Sequence, residues 1–337
     1  MKIRLNGFLP KTRAAAWMRV WEFGSAETQV CPCFSCSHTP ARAHFHAWVA
    51  SAVGLAAGIL LASARVSQGS ALTIDVSGTN RSAWSENGGW LNGKPTHESV
   101  HVFYNGSNSF LSGYAWAENI GWVKVGSGNG PYLNTASNNW GVNMDAQWRL
   151  SGYGWAENAG WVRFAATHGR VTIDPLKGGF DGYAWAENLG WIHFTNAAPA
   201  YLFQAAIGFA TNQVPQWWLW DYGFTNNFDA AAQGDWDRDG AATWEEYVAG
   251  TDPTNEASVL SLYIPSPDVQ PDAGILIEWP SRSDRRYSLS RSSRLLDVPP
   301  FQVVATNLAG SGGTYRFADT NATGPQWYWY RVGVRFP

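Results

Sequence analysis

Residues 112–125 read SGYAWAENIGWVKV, residues 151–164 read SGYGWAENAGWVRF, and residues 181–194 read DGYAWAENLGWIHF. A degenerate copy, SAWSENGGWLN, occupies residues 82–92. The leading tryptophans, Trp84, Trp116, Trp155 and Trp185, are 32, 39 and 30 residues apart, so the copies share a core and differ in their connections. Within a copy, Gly-Tyr-Ala-Trp-Ala alternates as a strand does. Glu-Asn-x-Gly is turn chemistry, because Asn and Gly tolerate positive φ. Trp-Val-x-Phe then begins the return strand. A further strand is expected before the copies, at residues 72–75, 142–145 and 171–174. One such unit cannot bury its own face, whereas stacked neighbours can. The expected product is an array of short antiparallel β-hairpin repeats, open or curled.

Two readings attach to the paired tryptophans Trp116/Trp122, Trp155/Trp161 and Trp185/Trp191. In the favoured one they are core, stacked across each hairpin, and Glu-Asn ties each turn to its own backbone. In the other, all six indoles (Trp116, Trp122, Trp155, Trp161, Trp185 and Trp191) are platforms for sugar rings, with Glu118, Glu157 and Glu187 accepting hydroxyl hydrogen bonds. One Glu per turn is no catalytic pair, which needs two carboxyls set across one bond. His193 takes the place of Lys124 and Arg163 in the other copies, which marks a solvent-facing position. These units resemble the GYAWSENxGWI repeats of large secreted and surface proteins of environmental bacteria. That resemblance covers about 120 residues and implies an extracellular β-repeat without a defined activity.

Composition bounds the rest. The chain has 337 residues, 15% charged and 45% hydrophobic, with 35 Gly and 21 Trp. So few charges exclude an acidic or basic disordered tail. The Gly and aromatic content excludes a long coiled coil and favours β-structure with tight turns. A net charge of −3 argues against nucleic-acid binding, which needs clustered Lys and Arg. No G-x-S-x-G elbow, H-E-x-x-H or phosphate loop is present, so the chain is not expected to be an enzyme.

The strongest chemical motif is Asp235-Trp-Asp237-Arg-Asp239-Gly240-Ala241-Ala-Thr243-Trp-Glu-Glu246. An EF-hand loop needs oxygen ligands at positions 1, 3, 5, 7, 9 and 12 and Gly at 6. Asp235, Asp237 and Asp239 fill the first three. Ala241 offers its carbonyl at 7, Thr243 stands at 9 and Glu246 at 12. Ca2+, a hard cation, suits this all-oxygen set. The competing reading is an Asp-rich turn leading into a helix with a Thr243/Glu246 capping box. An entry helix is expected near residues 215–223 and an exit helix over residues 243–249, ended by Gly250. Residues 215–255 resemble the dockerin-like and thrombospondin-type-3-like calcium segments of secreted bacterial proteins, through DxDxDG and the ending EYVAGTDPTN. True dockerins carry two loops and this chain carries one, so a structural calcium hinge is implied and a cohesin partner is not.

From Ser258 the pattern alternates again, with six candidate strands at residues 259–264, 275–279, 286–291, 301–306, 314–317 and 327–334. This spacing suggests a β-sandwich. Ile275, Ile277, Trp279, Tyr287, Leu289, Tyr328, Tyr330 and Val332 are its expected core, and Trp327 and Trp329 its opposite face. WPS at 279–281, YSL at 287–289 and YRVGV at 330–334 resemble a fibronectin-type-III-like domain, which implies a role in spacing or attachment.

At the front, residues 47–62 form an uncharged apolar run followed by Ala62-Ser63-Ala64. That is the layout of a secretory signal peptide; an uncleaved anchor is the alternative. Cys31, Cys33, Cys36 and His38 lie upstream in a C-x-C-x-x-C-x-H spacing that could hold zinc, in a segment expected to be removed. The expected organisation is therefore an extension and signal peptide at 1–64, a Trp-rich repeat domain at 65–198, a calcium-binding segment at 199–257 and a sandwich at 258–337. The expected function is a secreted, extracellular or cell-surface structural or adhesion-type protein, without a membrane span in the mature chain. Its partner would be a polysaccharide or a surface protein. The alternative is a carbohydrate-binding protein that uses the repeat tryptophans.

Overall fold

The computed structural model describes residues 71–265, 274–322 and 328–337. The expected signal peptide, the cysteine cluster and Trp327 lie outside the described residues. The described chain is mainly β, with antiparallel hairpins and three short α-helices.

The repeat region runs β1 (Leu72–Ser85), β2 (Gly89–Asn92), β3 (Val100–Tyr104), β4 (Ser109–Ala117), β5 (Gly121–Lys124), β6 (Val142–Met144), β7 (Leu150–Ala156) and β8 (Gly160–Arg163). It continues with β9 (Ala165–Ala166), β10 (Gly169–Arg170), β11 (Thr172–Ile173), β12 (Phe180–Asp181), β13 (Tyr183–Ala186), β14 (Gly190–His193), β15 (Thr195–Ala197) and β16 (Ala200–Ala205). The expected strand at 72–75 is the first part of the long β1. Each repeat is a hairpin: β1/β2, β4/β5, β7/β8 and β13/β14. Neighbouring hairpins join through equivalent residues: Leu91 opposite Ala117, Val123 opposite Ala156, and Val162 opposite Ala186. The fourth joint sets Ile192 opposite Ser85 and His193 opposite Trp84. The array therefore closes into a ring of eight strands.

Ring closure decides which way each side chain points. Eight strands leave an interior that ordinary side chains just fill. Ala115 and Ala184 on first strands, and Leu91, Val123, Val162 and Ile192 on return strands, point inward and are 5% exposed or less. This small-against-large pairing fills the ring, and the remaining void is only ≈ 30 Å³. Eight indoles could not share that space. The alternation of the strands turns them outward, which corrects the expectation that the tryptophans form the core.

A second ring continues the first. The early part of β1 pairs with β3, β3 with β4, β4 with β6, and β6 with β7. An Arg149–Thr172 bridge leads on to β11 and β12, and a Gly179–Gln204 bridge leads to β16, which returns to β1. Where the chain passes from one ring to the other stand Gly113, Gly152 and Gly182, with φ of 99°, 89° and 91°. A Cβ there would run into the carbonyl oxygen of Ser99, Gly141 or Arg170 respectively. Only glycine meets both demands. In the degenerate copy the same passage is an irregularity of β1 between Val76 and Arg81.

Beyond the barrel, β17 (Phe209–Ala210) and β18 (Val214–Pro215) lead into α1 (Gln216–Asp221), α2 (Phe228–Gln233) and α3 (Thr243–Ala249). The entry and exit helices stand where the sequence places them. The short α2 was not expected; a six-residue helix carries too few turns for its periodicity to be read. Trp217 and Trp220 of α1 pack on the barrel core, and Trp217 meets Tyr104 and Trp148 at 6.0 and 5.6 Å. Residues of α1, α2 and α3 share a second, smaller core with Ala210, Val214 and Phe336.

The C-terminal strands are β19 (Ile275–Pro280), β20 (Arg286–Ser292), β21 (Gln302–Ala309), β22 (Thr314–Asp319) and β23 (Trp329–Arg335). They form a two-stranded sheet, β19/β22, and a three-stranded sheet, β21/β20/β23. The expected strand at 259–264 is reduced to a bridge between Tyr263 and Glu278, so the six-strand arrangement is not reached among the described residues. The expected core residues of this region are all buried, and Trp329 is half-buried.

Candidate functional site

The acidic loop is built by its own backbone. Gly240, at φ 94°, bends the chain so that its N–H donates to Asp235 Oδ2 at 3.0 Å. The N–H of Asp239 donates to Asp237 Oδ1 at 3.1 Å, and that of Ala241 to Asp239 Oδ1 at 2.7 Å. One carboxylate oxygen from each of Asp235, Asp237 and Asp239 then lies within 4.8 Å of the others. Such crowding of like charges is unfavourable unless protons or a cation neutralise it. Glu246 closes the loop from the first turn of α3 and is 1% exposed.

Two oxygens in this loop have no partner. Glu246 Oε1 accepts from Thr251 Oγ1 at 3.2 Å, but Glu246 Oε2 and Asp237 Oδ2 are buried without a hydrogen bond. Burial, reinforced by the charges of Asp237, Asp239 and Asp235, pushes the Glu246 carboxyl up to about 8. The expected Thr243/Glu246 capping box does not form. Ala242 is the N-cap, and its N–H donates to Glu245 Oε2 at 2.9 Å. Thr243 is buried, with its hydroxyl donating to the Gly234 carbonyl at 3.0 Å. Glu246 is thus spared the capping task and faces the aspartates. Asp235, Asp237 and Asp239 are the groups whose oxygens lie close enough together to hold a metal ion, and Glu246 lies near enough to feel their charge.

The far end of α3 is held by a residue the sequence reading missed. Arg285, 5% exposed, donates from Nε to the Val248 carbonyl at 2.7 Å and from Nη2 to the Tyr247 carbonyl at 2.9 Å. Its guanidinium lies 3.9 Å from the Phe336 ring centre and pairs with Asp284 at 2.7 Å. Glu246 is thus one residue from a carbonyl fixed by the C-terminal sheets. A single Arg at a strand entry carries no pattern by which sequence alone reveals it.

The repeat tryptophans form a belt around the barrel. Each hairpin sets its two indoles edge to face: Trp84/Trp90 at 4.9 Å, Trp116/Trp122 at 5.0 Å, Trp155/Trp161 at 4.9 Å and Trp185/Trp191 at 4.8 Å. Trp84, Trp116, Trp155, Trp161 and Trp185 are 37–45% exposed. Register across the joints extends each pair into a row. Lys124 lies opposite Trp155, Arg163 opposite Trp185, His193 opposite Trp84 and Asn92 opposite Trp116. Lys124 also lies over the Tyr114 ring at 5.4 Å, and His193 stacks on Tyr183 at 4.2 Å. His193 is half-buried rather than fully solvent-facing, and burial holds its imidazole below the ordinary value.

Two of the six expected platforms, Trp122 and Trp191, do not present an open face. Trp191 is half-buried. Trp185 packs against it from one side, Tyr183 meets it edge-on at 6.0 Å, and Gly169 of β10 sits so close that a Cβ there would strike the Trp191 ring. Trp191 is therefore a packing residue, covered by the β9/β10 hairpin that follows the preceding repeat. Trp122 is half-buried too, between Trp116 and Tyr114. The repeat motif does not reveal this cover, because the covering hairpin lies in the variable connection between copies.

The Glu-Asn turns serve closure rather than their own hairpins. Asn158 Nδ2 donates to the Ile120 carbonyl at 3.0 Å, and Asn188 Nδ2 to the Ala159 carbonyl at 3.2 Å. The Asn119 N–H donates to the Gly88 carbonyl at 3.3 Å, and Ser85 Oγ to the Leu189 carbonyl at 3.0 Å. Every turn is tied to the next around the ring, which corrects the expectation of a bond to the same hairpin's backbone. Glu86, Glu118, Glu157 and Glu187 remain exposed along this rim.

No protein-family model, no curated protein and no solved structure matches the chain.

Proposed function

We propose that the chain is a non-enzymatic, calcium-binding display protein of the secreted or cell-surface kind. Its barrel presents the tryptophan belt, and Ca2+ stiffens the segment that carries the C-terminal sheets. The observation that carries the calcium reading is the pair of buried, unpartnered oxygens, Glu246 Oε2 and Asp237 Oδ2, beside the aspartate cluster. Each of these carboxylates has a donor on its other oxygen, but a buried oxygen left without one is unfavourable by about 1–3 kcal/mol, and a bound cation would remove that cost. Asp235, Asp237, Asp239, Glu246 and the Ala241 carbonyl would hold the ion. Helices of six and seven residues are not stable alone in water, so ion binding and helix order are coupled.

Terbium, a luminescent stand-in for Ca2+, tests this directly, since Trp236 lies within the loop and can sensitise it. The expected result is one site per chain, displaced by Ca2+ and lost in Asp235→Ala and Glu246→Gln. Emission that persists in both variants, or no binding by the parent protein, would overturn the calcium reading.

A further inference from the structure

We infer that the row around Trp155 and Trp161 is a binding site for a polysaccharide of neutral pyranose units. The inference rests on reading the belt as the displayed surface and is independent of the calcium loop. Among the four repeat pairs, this is the one in which both indoles are exposed, at 37% and 45%. In the pairs that hold Trp122 and Trp191, the second indole is half-buried. A third indole, Trp140, stands edge-on to Trp161 at 5.1 Å. Lys124 lies opposite Trp155 in the ladder, and Glu157 and Glu187 stand exposed at the adjoining turns. Among the described residues, no hydrogen bond joins an indole N–H of Trp140, Trp155 or Trp161 to a protein acceptor. Those donors are available to a ligand.

The composition of the patch selects its occupant. Protein-binding surfaces build a core of aromatic and aliphatic side chains depleted of charge. Here the aliphatic residues of the same strands, Val123, Ala156 and Val162, point into the barrel. What remains outside is indole interleaved with ammonium, carboxylate and N–H groups. A pyranose ring matches that mixture. Its axial C–H face lies flat on an indole, and its equatorial hydroxyls meet donors and acceptors at the ring's edge. Recurrence of the pair at every hairpin offers a long polymer further, weaker contacts around the belt, and linked contacts multiply. The row through Asn92, Trp116 and Trp122 lacks both the basic residue and a third indole, and makes the internal comparison.

The test uses the full chain in affinity electrophoresis through gels containing a β-1,3-glucan, a β-1,4-xylan or a galactomannan. Retardation by at least one polymer is expected. Trp161→Ala and Trp155→Ala should each weaken it by about tenfold, as aromatic anchors do, while Trp116→Ala changes it little. Should the Ala variants fold poorly, quenching of the parent protein's tryptophan fluorescence by acrylamide is the second readout, and saturating polymer should reduce it. Equal weakening by Trp116→Ala overturns this location. No retardation and no protection against quenching overturn the sugar-binding inference, as does protection only by an added protein. Terbium binding measured on the same samples keeps a failure here distinct from a failure of the calcium reading.

Discussion

The barrel and the segment around the acidic loop solve the same problem with opposite means. The barrel buries 31 side chains in one described core, contributed a few at a time by every copy of the repeat. The segment around α1, α2 and α3 has a described core of six buried residues. Trp218, Phe224, Phe228, Trp244 and Phe336 pack against it, and single polar groups, Glu246, the three aspartates and Arg285, hold the loop and the end of α3. In the barrel, loss of one contact removes one part in many. In the segment, loss of one group leaves a charge or a carbonyl buried without a partner. Repetition distributes stability, and a few buried polar groups concentrate it.

Chelation should separate the two regions most widely. At Ca2+ a thousandfold above Kd, binding contributes about 4 kcal/mol, so EDTA should lower the melting transition of the segment by several degrees and leave that of the barrel in place. Scanning calorimetry with and without chelator measures this. If both transitions move together, the regions are one cooperative unit and the contrast fails. Arg285→Ala should come next, at about 2–4 kcal/mol, because it strips two buried carbonyls of their donors. Its effect should fall on the segment's transition and weaken calcium binding. Arg285→Lys should recover only part, since an ammonium cannot reproduce the planar fork.

Gly113→Ala tests the barrel at a point where repetition gives no relief. Positive φ alone costs about 1–3 kcal/mol, and the Ser99 carbonyl occupies the space of the new methyl group. Denaturant unfolding should show the loss in the barrel. The smallest effect is expected from Asn158→Ala, about 1 kcal/mol for one turn-to-turn hydrogen bond in a closed ring. A loss of several kcal/mol there would mean that closure is less distributed than the equivalent ties suggest.

Much of this architecture is legible before any coordinates. The three clear copies show hairpin, turn and return strand, because alternation and Glu-Asn-x-Gly are local properties. DxDxDG with Glu246 shows the loop and its exit helix for the same reason: every group lies within twelve residues. Less legible are the features made by distant partners. The Ile192–Ser85 joint links the last repeat to the first across more than a hundred residues. Trp140 belongs to no repeat, and Arg285 meets α3 from another element. Trp161 and Trp191 hold the same place in their repeats, yet one is exposed and the other is covered by the Gly169 turn. The degenerate copy misleads in a related way. Its passage between rings is an irregular stretch of β1 rather than a positive-φ glycine, so it reads as a weaker repeat although it completes the ring.

The sequence by itself determined the hairpins, their turns, the acidic loop and the mainly β class, since period-two alternation and turn residues act over a few bonds. The tertiary structure alone decided that the array closes, and closure set the direction of every tryptophan. A narrow eight-stranded interior takes alanine against valine, leucine or isoleucine, and alternation then places the indoles outside. Only the fold, likewise, left Glu246 buried beside three aspartates with an oxygen free, because burial of a side chain depends on what the rest of the chain packs over it.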